Sequence, residues 1–222
     1  MRSLIDILDL SVEEIDQLIA TACDIIDHPD DYAEACKRKK LATLFFEPST
    51  RTRLSFEAAM LELGGSVISM ASAASSSASK GESVADTAKV ISCYADIIAM
   101  RHPKEGAALV AANNASVPVI NAGDGGHCHP TQTLADLLTI YREKGRLNDL
   151  TVGFCGDLKF GRTVHSLINA LSRYTGIEIV LISPEELKLP SYVKRTCCRK
   201  TTSPTFRPPV WRRLCLSWTF CI

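Results

Sequence analysis

The sequence predicts an α/β protein made of two doubly wound parallel-sheet domains, the second of them incomplete. Three observations carry that expectation. Short apolar runs, each the length of a buried strand, alternate with longer segments whose apolar residues recur at helical spacing. The alternation pauses at Arg142–Asn148 and then restarts, which splits the patterned chain into residues 1–145 and 146–194. The chain has 222 residues, 46% hydrophobic and 23% charged, so it can bury real cores.

The elements follow in order. Ser11 and Glu14 form a capping box, and Ile15, Leu18, Ile19, Ala22, Ile25 and Ile26 repeat at helical spacing until Asp27–Asp31, with Pro29, ends the helix. Leu41–Phe46 reads as a buried strand. Pro48 and Ser49 then start a helix whose inner face is expected to carry Leu54, Ala58 and Leu61, closed by Gly64-Gly65. Val67–Met70 is a short strand, and Ser83–Tyr94 a helix. Strand Asp96–Met100, helix Glu105–Ala112, strand Val117–Asn121 and helix Thr131–Glu143 complete the first domain. After Gly145 come strand Leu150–Cys155, loop Gly156–Gly161, helix Thr163–Tyr174 and strand Ile177–Ile182. Between the second strand and the third helix, Ala71–Ser79 holds only Ala and Ser, and on composition alone it reads as a flexible linker.

The formal net charge is +0, which argues against bulk attraction to nucleic acid or an anionic membrane. No apolar run is long enough to span a bilayer, and the first ten residues have no signal-peptide layout, so a cytoplasmic protein is expected. Cys23, Cys36, Cys93, Cys128 and Cys155 are scattered and form no C-x-x-C pair; buried free thiols are expected.

From Arg195 the character changes. Residues 195–222 hold six basic residues and no acidic one, both tryptophans, four cysteines and three prolines. Neither helical nor strand periodicity is present. One reading is a basic, cysteine-rich binding tail for metal or nucleic acid. The other is an aberrant tail produced by a reading-frame shift or a sequencing error, expected to be disordered. The adjacent Cys197-Cys198 suits no common zinc spacing and no histidine lies nearby, which favours the second.

The richest chemistry lies in Phe46-Glu47-Pro48-Ser49-Thr50-Arg51-Thr52-Arg53-Leu54-Ser55-Phe56-Glu57, where a strand ends and a helix starts. Free backbone N–H groups and the helix dipole favour an anion there. Ser49, Thr50 and Thr52 add hydroxyl donors, and Arg51 adds a planar fork suited to a phosphate edge. In a parallel sheet this is also the edge where ligands bind.

This segment closely resembles the carbamoyl phosphate motif of the aspartate and ornithine carbamoyltransferases. Further landmarks follow in order: Met100-Arg101-His102-Pro103 at a strand end, His129-Pro130-Thr131-Gln132 resembling the family's H-P-x-Q signature, and Gly161-Arg162-Thr163-Val164-His165-Ser166 resembling the aspartate branch. Ser76 and Lys80 resemble the loop that family members insert into a neighbouring subunit's site.

The resemblance implies the carbamoyltransferase fold, with a carbamoyl phosphate domain over 1–145 including a linking helix and a partial aspartate domain over 146–194. It implies transfer of the carbamoyl group of carbamoyl phosphate to the amine of L-aspartate in de novo pyrimidine biosynthesis, in a homotrimer with shared sites, with room for regulatory subunits. Ser49, Thr50, Arg51 and Thr52 would hold the phosphate. Thr52, Arg101 and His129 would be catalytic, stabilising the developing oxyanion. Gln132 would orient the carbamoyl amide. Arg162 would hold an aspartate carboxylate together with Lys80 from the adjacent subunit, and Ser76 from that subunit would join the carbamoyl phosphate site.

No cofactor or metal is implied. His127, Cys128 and His129 are too close in sequence to surround one ion easily. His28, His102 and His165 read as structural or surface residues. The family pattern also includes a further Arg-x-Gln loop for the aspartate carboxylates and a late loop near the carbamoyl group. Neither is found here, and 195–222 contains no Gln. The alternatives are therefore an ornithine carbamoyltransferase, which Lys80 and the Gly161–Ser166 stretch oppose, and a non-catalytic carbamoyl phosphate-binding fragment.

Overall fold

The computed structural model describes residues 2–70, 81–198, 205–207 and 220–221. The chain divides into two compact units, Met1–Asp9 with Asp24–Thr131, and Leu10–Cys23 with Gln132–Ile222.

In the first unit, strands β1 (Lys40–Phe45), β2 (Ser66–Met70), β3 (Ile97–His102) and β4 (Val119–Asp124) form a sheet in the order β2-β1-β3-β4. Every pairing in it is parallel. Helices α2 (Thr50–Glu62), α3 (Val84–Ile91) and α4 (Ala107–Asn114) connect the strands. Ala42, Leu44, Ile98, Met100 and Val119 pack with Ala88 and Ala111 of α3 and α4, while Leu41 and Ala99 pack with Met60 of α2. Both sheet faces are thus covered, which is why these strands read as continuous apolar runs and not as alternating ones.

The helix after β1 turns a different face inward from the one the apolar pattern indicates. Leu54 is 50% exposed and Leu61 60% exposed, and Ala58 also faces solvent. Met60 is buried, and Phe56 packs beside it. Glu57 accepts hydrogen bonds from Thr43 Oγ1 (2.9 Å) and Ser69 Oγ (2.6 Å), and Arg53 donates to Ser69 Oγ at 3.3 Å. The inner face is therefore Arg53, Phe56, Glu57 and Met60, half of it polar and satisfied by sheet hydroxyls.

In the second unit, β5 (Thr151–Cys155) and β6 (Glu178–Ile182) pair in parallel around α6 (Arg162–Leu171), with Val152, Phe154, Leu167, Ile168, Leu171 and Ile179 in the core. The capping box at Ser11 is present: Glu14 N–H donates to Ser11 Oγ at 3.1 Å, and Ser11 N–H to Glu14 Oε2 at 2.6 Å. It opens α1 (Val12–Asp27). The first half of α1 belongs to the second unit because Tyr174 donates to Asp16 Oδ1 at 2.8 Å and Arg173 to the Leu10 carbonyl at 2.6 Å. Burial, with the Asp16 bond, pushes the Tyr174 phenol well above its ordinary range. The compact units divide inside α5 (Pro130–Lys144), between Thr131 and Gln132.

The tail is not without regular structure. Helix α7 (Ser191–Cys198) runs into it, and β7 (Thr205–Arg207) and β8 (Phe220–Cys221) extend the second sheet to the order β7-β6-β5-β8. The open edges of β5 and β6 offer unpaired backbone groups that any extended segment can pair with, whatever its side-chain pattern. The cysteines also depart from expectation. Cys128 is buried, Cys23 and Cys36 are partly so, and Cys93 and Cys155 are exposed; all five are free thiols. No helix among the described residues is long and apolar enough to cross a membrane.

Candidate active site

The order β2-β1-β3-β4 places a topological switch between β1 and β3: the chain leaves β1 to one side, forms β2, then crosses back to the other. Ligands in open parallel sheets bind at such a point, outside the carboxyl ends of the strands. The loop after β1 carries Pro48 and Ser49 into α2. Phe45 is the register partner of Arg101, so Arg101 at the end of β3 stands beside that loop. Next in the sheet, His102 pairs with Asp124, and the chain after β4 runs through a tight turn to His129.

Ser49 sits at the N-cap of α2 in an extended conformation, yet its hydroxyl makes no capping bond, and the first turn carries no acidic residue. An N-terminus with uncapped amides and adjacent Thr50, Arg51 and Thr52 is suited to an anion, which would complete the orphan donors. Arg51 and Thr50 are exposed and Thr52 half-buried. Arg101 is largely buried, and its Nε donates to Glu47 Oε2 at 3.1 Å. That bond fixes the plane of the guanidinium while using one of its five donors. Sequence reasoning assigned no role to Glu47, although it stands inside the dodecapeptide; only the pairing across 54 positions reveals it.

His102 is buried at the same edge. Its Nδ1 accepts from the Lys104 N–H at 2.9 Å, and its ring lies 5.0 Å from that of Phe46. Burial holds this imidazole below its ordinary pKa. His129 is buried, with Nδ1 3.5 Å from Thr131 Oγ1. Pro130 follows at the first position of α5, where its missing N–H is tolerated. His127 is half-exposed and Cys128 buried.

In the second unit, Gln132 on α5 is exposed, and its Nε2 donates to Asp136 Oδ1 at 2.9 Å, which turns the amide oxygen away from that carboxyl. Burial raises the Asp136 pKa, and the Gln132 bond opposes the rise. Arg162 opens α6 directly after β5 and its loop, the counterpart in this sheet of α2 after β1. Gly161 precedes it of necessity: a Cβ there would meet the Asp157 carbonyl at 2.6 Å. His165 donates through Nε2 to the Leu158 carbonyl at 2.8 Å, a loop-holding role. Ser76 and Lys80 lie outside the described residues. The first unit thus carries Ser49, Thr50, Arg51 and Thr52 at the start of α2, Arg101 near the end of β3 and His129 just before α5, each following or ending a strand of its sheet, while Gln132 and Arg162 belong to the second.

Comparison with known proteins agrees with this geometry. Residues 2–142 match the model of the aspartate/ornithine carbamoyltransferase carbamoyl-P binding domain. The chain is 70% identical over 194 residues to the aspartate carbamoyltransferase catalytic subunit of Lachnoclostridium phytofermentans, covering 87% of this chain and 63% of that one. The corresponding subunit of Clostridium acetobutylicum is 64% identical over the same span. Among solved structures, the catalytic subunit of M. jannaschii aspartate transcarbamoylase superposes with a TM-score of 0.87 at 48% identity, covering 94% of this chain and 68% of that one. The Trypanosoma cruzi aspartate transcarbamoylase, solved with N-(phosphonacetyl)-L-aspartic acid, gives 0.86 at 37% identity, covering 93% and 68%. The chain spans about 63% of the length of the curated relatives. A family model covering well over half the sequence, on a fold shared with solved members, means that this chain belongs to the aspartate/ornithine carbamoyltransferase family.

Proposed function

We propose that this chain binds carbamoyl phosphate in its first unit and serves, within a complete catalytic subunit, to transfer the carbamoyl group to the amine of L-aspartate. The observation that carries this reading is the uncapped, acid-free start of α2 at the switch point beside Arg101. There the phosphate would meet Ser49, Thr50, Arg51 and Thr52. Thr52, Arg101 and His129 would donate to the carbamoyl oxygen as it becomes an oxyanion. The amine of aspartate attacks the carbamoyl carbon, a tetrahedral intermediate forms, and the C–O bond to phosphate breaks. The departing phosphate takes the amine's proton, and N-carbamoyl-L-aspartate is released. Nothing covalent forms on the protein, so orientation and charge stabilisation supply the rate. Gln132, its amide steered by Asp136, would accept from the carbamoyl NH2.

Arg162, at the start of α6, would clamp an aspartate carboxylate with Lys80 from a neighbouring copy, and Ser76 of that copy would contact carbamoyl phosphate. The outward row Leu54, Ala58 and Leu61 on α2 supports such a neighbour, in the homotrimer expected of the family. The relatives named as aspartate carbamoyltransferases, and the T. cruzi enzyme solved with carbamoyl phosphate and aspartate, support aspartate over ornithine as acceptor. With Arg162 as the acceptor-side residue among the described ones, one second reading is a chain that binds carbamoyl phosphate without turnover.

Calorimetry with carbamoyl phosphate tests the first step. Arg51→Ala is expected to weaken binding from about tenfold to over a hundredfold, since a charged hydrogen bond to phosphate is worth about 1.5–3 kcal/mol. Unchanged affinity would sink the assignment. Product formation assayed with aspartate and ornithine in parallel separates the acceptors.

A further inference from the structure

Asp124 ends β4 with its side chain 1% exposed. Both carboxyl oxygens are in use. Oδ1 accepts from Asn121 Nδ2 at 2.9 Å and from the Cys128 N–H at 3.2 Å, while Oδ2 accepts from the Gly106 N–H at 2.9 Å. His127 Nδ1 stands 3.5 Å from Oδ2. The backbone closes the same turn: the Asp124 N–H donates to the Cys128 carbonyl at 3.3 Å and the His127 N–H to the Asp124 carbonyl at 3.0 Å. Asn121, itself fully buried, donates to the Ile5 carbonyl and accepts from the Gly123 N–H. One carboxyl group thus ties together β4, the start of α4 and the turn 125–128.

That turn ends one residue before His129, and a buried carboxyl does not persist in a protein interior unless its partners are fixed. The turn also has little freedom of its own. Gly125 has φ +54, and a Cβ there would lie 2.8 Å from the Pro103 carbonyl. Asp124 therefore sets where the chain leaves the sheet and enters α5.

We infer that Asp124 is a positioning residue for the carbamoyl phosphate site, holding the His129 imidazole at the carbamoyl oxygen through the 125–128 turn. This rests on the function proposed above. Asp124 touches no ligand; its effect passes through His129. The phosphate end, held by the separate loop after β1, is independent of it.

The test is a double-mutant cycle read by calorimetry on the full chain, with carbamoyl phosphate and inorganic phosphate as the two titrants. Both oxygens of Asp124 face N–H donors, so Asp124→Asn sets an NH2 against a donor whichever way the amide lies. The expected result is about a tenfold loss of carbamoyl phosphate affinity. Phosphate affinity should stay within about twofold, and the loss should vanish in the His129→Ala background. An equal loss for both titrants, no loss at all, or a loss that persists without His129 would overturn the positioning role while leaving the functional reading standing. A wild-type chain that binds phosphate but no carbamoyl phosphate would overturn the functional reading and this inference with it. If Asp124→Asn does not melt cooperatively, the cycle is run with Asp124→Glu, which keeps the acceptors and lengthens the arm by one carbon, with the same expected signs.

Discussion

At the scale of single residues, the motif side chains were legible because their chemistry is local: hydroxyls, an arginine and free amides within four positions of a helix start. What escaped the sequence were their partners. Glu47 against Arg101 and Asp124 against Gly106 join positions far apart in the chain, and no spacing rule marks them. His102 was read as structural, and its burial on Phe46 with a bond from Lys104 fits that reading while adding a consequence for pH. Its folded pKa lies below the ordinary 6.5, first because of burial; the Lys104 charge lowers it further, while Asp124 and Glu47 oppose the shift. The unfolded ring takes a proton at a higher pH than the folded one. The neutral ring's contribution to stability is therefore present above 6.5 and lost as pH falls through the lower folded value. His102→Asn keeps an acceptor for the Lys104 N–H but cannot titrate. Thermal melts between neutral and mildly acid pH should fall less steeply for that variant, by at most about 1.4 kcal/mol per pH unit, one proton's worth. Asp136 has the opposite sign, its stabilisation fading as pH rises through its raised pKa, so the difference between variant and wild type is the quantity to plot. Parallel curves would remove His102 from the acid response.

At the scale of elements, strand and helix identities followed from period and length, and departures sit where polar groups turn inward. Helix α2 is the clearest instance. Apolar spacing selects Leu54, Ala58 and Leu61, but Glu57 and Arg53 find Thr43 and Ser69 on the sheet, and the helix rotates to satisfy them. A largely shielded carboxyl left without partners is costly, which offsets at least part of the burial lost by exposing two leucines. The two faces should then respond oppositely to substitution. Met60→Ala removes a buried side chain and should cost about 2–5 kcal/mol in urea unfolding. Leu61→Gln, on a side chain 60% exposed, should change stability by under about 0.5 kcal/mol at concentrations where chains stay apart. If Leu61→Gln proves the more damaging in dilute solution, the rotated face is wrong. The tail strands β7 and β8 were illegible for another reason: they are three and two residues long and owe their place to the edges they pair with.

At the scale of the whole chain, the two units differ in how complete a ligand site each can present. The first has four strands of five or six residues each, with helices on both faces. The second has two five-residue strands flanked by much shorter ones. Under the proposed function its contribution to aspartate binding would rest on Arg162, whereas a dicarboxylate acceptor needs two carboxylates clamped against a positioned amine. Relatives are longer by the remainder beyond the 63% matched here. Replacing residues 195–222 with the corresponding last third of the Lachnoclostridium subunit should therefore act on one substrate only. Carbamoyl phosphate affinity, which the proposed function assigns to residues outside 195–222, should change by less than about threefold, on the expectation that sites without shared partners behave independently. Aspartate-dependent turnover, absent or slow in the original chain, should rise by orders of magnitude. A large gain in carbamoyl phosphate affinity would mean that the replaced segment takes part in its site. Full turnover by the original chain would mean instead that the basic tail supplies the second clamp, for which Arg199, Lys200, Arg207, Arg212 and Arg213 are the residues to replace in turn.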